Sequence, residues 1–201
     1  MTRIKLCGLS RPCDIEAAND LKPEYIGFVF AEKSKRYVTP KKAAELKRLL
    51  APTIKAVGVF VNEKPQIVAK LLNDGVIDIA QLHGDEDEAY IKRLRALTDK
   101  PIIKAFRIET AKHAEDAERS CADCVLLDSG AGTGAVFDWQ LIQNIKRPYF
   151  LAGGLSLDNV GDAVKTLHPY AVDVSSGIET DGLKDKTKMA AFVSAVRKEE
   201  V

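Results

Sequence analysis

The chain reads Phe150-Leu151-Ala152-Gly153-Gly154 and, farther on, Ala171-Val172-Asp173-Val174-Ser175-Ser176-Gly177. Each run is apolar and ends abruptly in small residues, which is typical of a buried strand followed by a tight turn. Between the two runs, a segment opened by Ser156 and Asp158 carries apolar residues at helical spacing. The sequence therefore predicts a strand, a helix and a second strand within residues 149–178.

The two turns that end these strands suit a phosphate group. Small residues let backbone N–H groups come close to a ligand, and a helix N-terminus beyond them adds positive potential. In a (β/α)8 barrel, the loops after strands 7 and 8 often build such a site. Either turn alone is more typical of an ordinary tight turn, but their pairing across one unit favours phosphate binding. The predicted phosphate-binding residues are Gly153, Gly154, Ser175, Ser176 and Gly177.

The overall charge of the chain is nearly balanced, with 30 Lys and Arg against 29 Asp and Glu in 201 residues. A net charge of +1 gives no general attraction to nucleic acid or to an anionic membrane, so we expect neither as a partner. No uncharged run approaches the roughly 18 residues of a membrane span, and no signal peptide is expected. Four cysteines are too few for a disulfide scaffold. We therefore expect one cytoplasmic domain over residues 1–201.

Short apolar runs alternate with helical segments along the whole chain. The predicted strands are residues 4–7, 25–30, 54–60, 77–81, 101–106, 124–127, 150–152 and 171–174. The predicted helices are residues 14–19 after Pro12, a segment entered at Thr39-Pro40, residues 65–72, 86–97 and 110–120, a short helix at 139–145 capped by Asp138, the segment opened by Ser156, and residues 186–197. Units of about 25 residues with mostly continuous apolar strands indicate parallel strands buried on both faces. We predict an α/β fold, a single-domain (β/α)8 TIM barrel.

An open doubly wound sheet would show the same alternation. Residues 128–134 follow a predicted strand and are rich in glycine, as in a dinucleotide-binding loop. That fingerprint places its glycines at the turn from strand to helix, whereas residues 135–137 intervene here before the Asp138 cap. We therefore favour the barrel, in which residues 130–134 would form either a mobile lid over the mouth or a long polar loop.

Function in a (β/α)8 barrel belongs at the carboxyl ends of the strands. The reactive or charged side chains at predicted strand ends, or in the loops after them, are Cys7, Arg36, Gln81, His83, Arg107 and Asp128. A thiol and a carboxyl group that face each other can act as a base and an acid at a sugar carbon, provided that the pKa of the thiol is lowered from about 8.5. These residues therefore predict proton-transfer chemistry.

Each of these residues also has a structural interpretation. Cys7 alone is more typical of a small buried apolar residue. Asp128 ends an apolar strand, so it must face solvent, find a partner, do chemistry or cap its loop. His83 could polarise a substrate oxygen or form structural hydrogen bonds. Lys5 shares the strand parity of Cys7, so we expect it to point into the barrel and pair with Asp173.

Six motifs occur in order along the chain. They are Lys5-Leu6-Cys7-Gly8, Lys35-Arg36-Tyr37-Val38, Gln81-Leu82-His83-Gly84, Asp128-Ser129 followed by Gly132-Thr133-Gly134 and Phe137-Asp138-Trp139, Ala152-Gly153-Gly154-Leu155, and Val172-Asp173-Val174-Ser175-Ser176-Gly177-Ile178-Glu179. Together they closely resemble the phosphoribosylanthranilate isomerase family of tryptophan biosynthesis. The departures at Leu6, Leu9 and Ala131 remove no chemical group.

The resemblance implies an Amadori rearrangement of N-(5'-phosphoribosyl)anthranilate to 1-(2-carboxyphenylamino)-1-deoxyribulose 5-phosphate. It implies Asp128 as the general acid at the furanose ring oxygen and Cys7 as the general base at C2'. Arg36 would hold the anthranilate carboxylate in a fork-to-carboxylate contact, and we assign Gln81 and His83 to substrate binding as well. No metal or organic cofactor is expected, because the iminium nitrogen acidifies C2'. The expected partner is this small-molecule sugar phosphate, and the expected assembly is a monomer or homodimer.

Three alternatives stay open from the sequence. A metal-dependent epimerase would need His and carboxylate ligands at several strand ends, where only His83 is available. A synthase making indole-3-glycerol phosphate would need a catalytic lysine, for which Lys104 is an imperfect candidate. A noncatalytic barrel would simply bind a phosphorylated metabolite. Cys121 and Cys124 have the spacing of half a zinc site or a redox pair, but they lie at the strand end opposite to Cys7, so the cysteines cannot converge on one metal.

Overall fold

Eight parallel strands close into one barrel in the computed structural model, which describes residues 1–129 and 138–199. The strands are β1 (Arg3–Cys7), β2 (Tyr25–Val29), β3 (Lys55–Phe60), β4 (Ile79–Leu82), β5 (Ile102–Arg107), β6 (Cys124–Asp128), β7 (Tyr149–Leu151) and β8 (Ala171–Val174). Each strand pairs with the next along the chain, and β1 pairs with β8 to close the barrel. The predicted barrel is confirmed, and the open doubly wound sheet is wrong because an open sheet has two unpaired edges.

Seven α-helices lie within the described residues, six between barrel strands and the seventh after the last strand. They are α1 (Pro12–Leu21), α2 (Pro40–Leu49), α3 (Pro65–Asn73), α4 (Glu88–Arg95), α5 (Ala111–Arg119), α6 (Val160–Leu167) and α7 (Lys186–Lys198). Proline occupies the first turn of α1, α2 and α3, where its missing N–H breaks no helical bond. Side chains of Thr39, Asp87 and Asp185 accept backbone N–H groups at the starts of α2, α4 and α7. In the part of the chain described, no helix is both long and apolar enough to cross a lipid bilayer.

The connection after β6 differs from the sequence prediction. Residues 139–145 were expected to form a short α-helix, but only a single 3-10 turn forms, over Trp139–Ile142. Asp138 caps this turn as predicted, since its side chain accepts the N–H of Gln140 at 2.9 Å. Pro148 disfavours the helical conformation at Arg147, so no helix continues up to β7. The predicted lid at residues 130–134 and the intervening residues 135–137 lie outside the described residues.

Two predicted helix starts lie too early in the sequence. The α6 helix begins at Val160, because Ser156 donates its N–H to the Asn159 side chain in a turn that precedes the helix. The α4 helix begins at Glu88 rather than at Glu86, whose carboxylate instead accepts backbone N–H groups of neighbouring loops. Side-chain competition for backbone donors is thus what delays both helices.

A short hairpin follows β8 and was not predicted. A 3-10 turn (Ser176–Ile178) leads into β9 (Glu179–Thr180) and β10 (Leu183–Lys184), which pair antiparallel. Asp181 and Gly182 join the two strands with φ angles of 53° and 78°. An Asp-Gly pair is the usual signal for a two-residue hairpin turn, so the sequence did contain this feature.

Side chains alternate along each strand between the barrel interior and the layer under the helices. The interior apolar cluster comprises Val57, Ile103, Ala105, Leu126, Phe150, Ala152 and Ala171. A larger cluster fills the space between strands and helices. Three polar side chains, Lys5, Gln81 and Asp173, are buried on interior-facing strand positions.

Lys5 and Asp173 form an ion pair inside the barrel, across the seam between β1 and β8. Lys5 is wholly buried, and its Nζ lies 2.7 Å from Asp173 Oδ2. Burial alone would lower the pKa of Lys5, but the neighbouring Asp173 and Cys7 together outweigh burial and the pKa is raised. The pairing predicted from strand parity is confirmed.

We expect Asp173→Asn to reduce the free energy of unfolding by about 3–5 kcal/mol, because Lys5 would keep a buried charge without its counter-ion. Urea denaturation followed by circular dichroism measures the change. The double variant Lys5→Met/Asp173→Leu, which removes both charges, should be more stable than Asp173→Asn.

The exposed pair Lys70–Asp74 provides the control, since its side chains are 74% and 49% exposed. Lys70→Met should change the free energy of unfolding by less than about 1 kcal/mol. Equal effects of Asp173→Asn and Lys70→Met on the free energy of unfolding would show that the interior ion pair matters no more to stability than an exposed one.

Candidate active site

The predicted site residues gather at one end of the barrel. Cys7 is the last residue of β1 and Asp128 the last residue of β6, while His83 directly follows β4. The small-residue turns begin after β7 and β8. Because all eight strands are parallel, these positions share the carboxyl mouth of the barrel, as the sequence predicted. A depression of about 440 Å³ beside Tyr149 and Tyr170 lies at the opposite, amino ends of the strands.

Cys7 sits in a small apolar cluster with Val29 and Val59 and is 8% exposed. Gly27 of β2 is its close neighbour. A Cβ atom built on Gly27 would lie 2.6 Å from Cys7 Sγ and 3.1 Å from Cys7 Cα. Only glycine therefore leaves room for the thiol in its present position.

The electrostatic setting of Cys7 differs from the sequence prediction, which required a lowered pKa. Burial raises the pKa of the thiol, and the positive charges of Lys5 and Lys184 offset this only in part. The sequence could not show this direction, because it depends on how completely the closed barrel removes water from the thiol.

Asp128 is the end of a hydrogen-bonded series that we call the acid chain, formed by Gln81, His83 and Asp128. His83 Nε2 lies 3.1 Å from Asp128 Oδ2, and Gln81 Nε2 lies 2.8 Å from His83 Nδ1. Gln81 and His83, two of the three residues predicted to bind substrate, are therefore linked by hydrogen bonds to the predicted acid. A cavity of about 250 Å³ lies beside the acid chain, with His83, Asp128, Phe106 and Arg107 in its wall.

Gly153 permits the close approach of the turn after β7 to Asp128. Its φ angle is +84°, and a Cβ atom there would lie 2.6 Å from Asp128 Oδ1 and 2.3 Å from the backbone nitrogen of Ser129. Gly154 also has a positive φ angle, 64°. Within the described residues, the N–H groups of Gly153 and Gly154 donate to no acceptor of the protein. These donors are available to an anion.

The turns after β7 and β8 contact each other, and the second also contacts Cys7. A Cβ atom on Gly177 would lie 2.2 Å from the Leu155 carbonyl oxygen, so glycine is required where the two turns meet. Ser175 donates its hydroxyl to the Cys7 carbonyl at 3.1 Å. Ser176 opens the 3-10 turn that follows. The five predicted phosphate-binding residues thus lie on two adjoining turns.

Arg36 lies in the loop between β2 and α2 and is held by Glu179 of β9. Its Nε and Nη2 atoms donate to the two Glu179 carboxylate oxygens at 2.6 and 2.7 Å. Lys184 also binds Glu179, and it donates to the Ser175 carbonyl at 2.8 Å. Burial would raise the pKa of Glu179, but these two cations outweigh burial and lower it. A Cβ atom on Gly8 would meet Arg36 Cδ at 2.5 Å, so the backbone just after β1 also confines this side chain.

Sequence reasoning missed Glu179, Lys184 and Gly27 as site residues. Glu179 was quoted within a motif without a role, and Lys184 belongs to the unpredicted hairpin. The Asp-Gly turn was the available signal for the two charged residues. No sequence signal marks Gly27, because its importance comes from the neighbouring strand.

Other candidate residues do not join this site. Lys104 has the opposite parity to the interior residues of β5, and its Nζ donates to the Gly84 carbonyl at 2.6 Å and to Glu86 at 3.2 Å. The lysine considered for a synthase therefore faces away from the barrel interior. Cys121 is exposed, and Cys124 Sγ lies 3.3 Å from the Pro148 carbonyl. Across the described part of the chain, no three His, Cys, Asp or Glu side chains are grouped as a metal site.

The sequence is similar to a known enzyme family over nearly its whole length. Residues 4–195 match the family described as N-(5'phosphoribosyl)anthranilate (PRA) isomerase. A relative named N-(5'-phosphoribosyl)anthranilate isomerase, from Endomicrobium trichonymphae, is 44% identical over 202 residues that cover 98% of this chain and 99% of the relative. A relative of the same name from Dechloromonas aromatica is 45% identical over 206 residues, covering 98% and 97%.

The fold is similar to solved structures bearing the same name. The crystal structure of phosphoribosyl anthranilate isomerase from Thermotoga maritima has a TM-score of 0.89 and 33% identity, covering 98% of this chain and 100% of that one. A crystal structure of such an isomerase in complex with reduced 1-(o-carboxyphenylamino)-1-deoxyribulose 5-phosphate has a TM-score of 0.88 at 33% identity, with the same coverage. On the family match and these relatives together, the chain belongs to the N-(5'-phosphoribosyl)anthranilate isomerase family of enzymes.

Proposed function

We propose that this enzyme converts N-(5'-phosphoribosyl)anthranilate to 1-(2-carboxyphenylamino)-1-deoxyribulose 5-phosphate by an Amadori rearrangement, as a step of tryptophan biosynthesis. One observation carries the proposal: the two adjoining small-residue turns contact both reactive residues. Gly153 abuts Asp128, and Ser175 binds the carbonyl of Cys7. A phosphate held on these turns would therefore place its sugar between a carboxyl group and a thiol. The solved relative with a bound carboxyphenylamino sugar phosphate supports the same class of ligand.

In the first step, Asp128 donates a proton to the furanose ring oxygen. The bond between that oxygen and C1' breaks, and the lone pair of the anthranilate nitrogen forms an iminium with C1'. The carboxyl group must hold its proton at the start of this step, so the state of Asp128 decides whether the ring can open.

In the second step, Cys7 as thiolate removes the proton from C2'. The electron pair of the C–H bond forms the C1'–C2' double bond, and the iminium nitrogen recovers its lone pair. The resulting enolamine gives the ketone by transfer of the hydroxyl proton to C1'. At the end, Asp128 has lost one proton and Cys7 has gained one, so the protein must exchange both with water before the next turnover.

The buried position of Cys7 gives this order of steps a physical reason. Burial raises the pKa of the thiol and so disfavours the thiolate. Lys5 supplies one compensating positive charge, and the iminium formed in the first step supplies a second beside C2'. The reaction itself thus creates part of the charge that the base requires, and no cofactor is part of the proposal.

Arg36 is proposed to bind the anthranilate carboxylate. Glu179 holds its Nε and Nη2 atoms, so the guanidinium is oriented before the substrate arrives. A guanidinium carries five N–H donors, and those that Glu179 does not use can bind a second carboxylate. The contact fixes the aromatic end of the substrate, while the small-residue turns fix the phosphate end.

The remaining parts of the proposal concern setting and assembly. We propose that residues 1–201 act as one domain in the cytoplasm, a setting supported by four unpaired cysteines. We further propose a monomer or homodimer, since the Thermotoga maritima relative is described as a dimeric enzyme from which monomers were generated. The balanced charge supports a small-molecule substrate rather than nucleic acid or a membrane as the partner.

We expect Cys7→Ala and Asp128→Asn each to lower kcat by roughly 10²–10⁴-fold, with KM changed little, because each removes one proton transfer. Decay of anthranilate fluorescence, with substrate generated in situ, measures turnover. The exposed Cys13→Ala and Asp74→Asn are matched controls that should retain wild-type kcat.

Near wild-type turnover by either site variant would remove that residue from its assigned role. If the wild-type protein failed to turn over the substrate while still binding inorganic phosphate, a noncatalytic barrel would be the correct function.

We expect Arg36→Ala to raise KM by roughly 10- to 100-fold with kcat within about threefold, because a charge-assisted contact of about 1.5–3 kcal/mol to the substrate carboxylate is lost. Steady-state kinetics on the same assay gives both constants. The exposed Arg48→Ala on α2 is the control. A fall in kcat at unchanged KM would contradict a binding role for Arg36.

We expect Gly27→Ala to lower kcat at least about tenfold while the protein stays folded, because the new Cβ would displace the Cys7 thiol by steric contact. Circular dichroism establishes folding and the fluorescence assay gives kcat. Gly161→Ala on α6 is the control, since a Cβ there meets only the flexible Glu199 side chain at 3.4 Å. Unchanged turnover in Gly27→Ala would show that the exact thiol position does not limit the reaction.

A further inference from the structure

Gln81 is a buried amide at the inner end of the acid chain. It is 1% exposed, and it lies on the strand face that Ile79 places toward the barrel interior. Within the described residues, the only polar contact of its side chain is through Nε2, at 2.8 Å from His83 Nδ1. Its Oε1 is buried and has no hydrogen-bond partner within the described residues. A buried amide whose oxygen has no hydrogen-bond partner lowers the stability of the fold, so its presence needs an explanation.

The present orientation of Gln81 selects one form of His83. An amide NH2 group only donates, so Nδ1 must be the acceptor and the proton of the neutral imidazole must be on Nε2. His83 Nε2 then donates to Asp128 Oδ2 across 3.1 Å. A hydrogen bond donated to a carboxyl oxygen favours the carboxylate. In this arrangement Asp128 has no proton to give.

The other tautomer of His83, with its proton on Nδ1, allows Asp128 to act as a general acid. A protonated Asp128 donates to His83 Nε2, which must then be an acceptor, so the imidazole proton must be on Nδ1. That proton needs an acceptor, and Gln81 can supply Oε1 by turning its carboxamide over. In the present orientation, Oε1 has no hydrogen-bond partner within the described residues. After the carboxamide turned over, the NH2 group would occupy that same position and would also have none. Neither orientation is therefore held by a second hydrogen bond. The amide is thus free to follow the imidazole.

We propose that Gln81 is a positioning residue whose carboxamide, by turning over, gives either tautomer of His83 a hydrogen-bond partner and thereby allows Asp128 to be held as the carboxylic acid. The inference rests on the proposed function, in which Asp128 is the general acid. It reassigns Gln81 and His83 from substrate contacts to the control of that acid.

The proton balance of the cycle closes. After ring opening, Asp128 is a carboxylate and His83 still carries its proton on Nδ1. To reach the resting tautomer, Nδ1 releases that proton to water and Nε2 takes one from water as Gln81 turns its NH2 group toward the ring. In the return to the acid, His83 Nδ1 takes a proton from water as Gln81 presents Oε1, and the Nε2–H bond breaks as its proton moves to Asp128 Oδ2. The net gain is one proton from water, matching the one that Cys7 releases on returning to thiolate. The His83 side chain is 34% exposed, which gives water access to the ring.

Two other charged side chains border the acid chain, and neither gains or loses a proton in the proposal. Arg107 on β5 is paired in register with Asp128, and it forms an ion pair with Glu109 at 2.8 Å. Asp85 also lines the adjoining cavity. Neither forms a hydrogen bond with His83 or Gln81, so among the described residues the ring nitrogens of His83 contact only Gln81 and Asp128.

The test compares wild type with Gln81→Met, which removes both amide groups at similar volume, and Gln81→Glu, whose carboxylate can only accept. We expect Gln81→Met to lower kcat by at least about tenfold, with the loss from Asp128→Asn as the upper limit, and KM within about twofold. The exposed Gln66→Met on α3 should match wild type.

The 15N resonances of the His83 ring report which nitrogen carries the proton. We expect a proton on Nε2 alone in wild type at pH 8, and a proton on Nδ1 in Gln81→Glu. This measurement needs no turnover and keeps the inference testable if Gln81→Met does not fold. A purely structural role for Gln81 would lower stability while leaving the kcat of a folded Gln81→Met near that of Gln66→Met.

The inference is overturned if Nδ1 stays unprotonated in Gln81→Glu, or if a folded Gln81→Met keeps the kcat of Gln66→Met. The Asp128→Asn variant separates this failure from failure of the proposed function. If Asp128→Asn loses turnover and Gln81→Met does not, only the inference falls. If Asp128→Asn retains turnover, the proposed acid is wrong and the inference falls with it.

Discussion

The ion pair between Lys5 and Asp173 is the interaction on which the rest of the site depends. It lies inside the barrel at the one seam that joins the first strand to the last, where β1 pairs with β8. Closure of this seam brings Cys7 beside Ser175 and so joins the thiol to the turn after β8. The Lys5 ammonium also faces the Cys7 thiol and opposes the effect of burial on it. One buried cation thus supports both the closed barrel and the chemistry at its mouth.

Glycine determines how closely the parts of the mouth approach one another. Gly27 admits the Cys7 thiol, Gly153 admits Asp128 and Ser129, and Gly177 admits the carbonyl of Leu155. At each position a single methyl group would enter occupied space. The site is therefore defined by contacts between backbone and side chain that leave little freedom to the reactive groups, which is a requirement for proton transfer between fixed partners.

Much of this arrangement follows from periodicity, and the rest from three-dimensional contact. Alternating apolar runs and helical segments predicted the barrel, and strand parity alone predicted that Lys5 meets Asp173. The position of Gly27 carries no local signal, because its role exists only once β2 lies beside β1. The raised pKa of Cys7 likewise depends on the closure of all eight strands. Glu179 and Lys184 were missed although the Asp-Gly turn between them was visible, since two residues per strand fall below the usual length of a recognisable strand.

Lys5 and Asp173 are 168 residues apart in the sequence, and this separation has a consequence while the chain is being synthesised on the ribosome. At synthesis rates of 5–20 residues per second, the first strand waits roughly ten to thirty seconds for its partner. Throughout that interval Lys5 has no counter-ion, Cys7 is not enclosed, and the sheet has two open edges. The nascent chain must therefore remain soluble while the edge of β1 that will pair with β8 is still open.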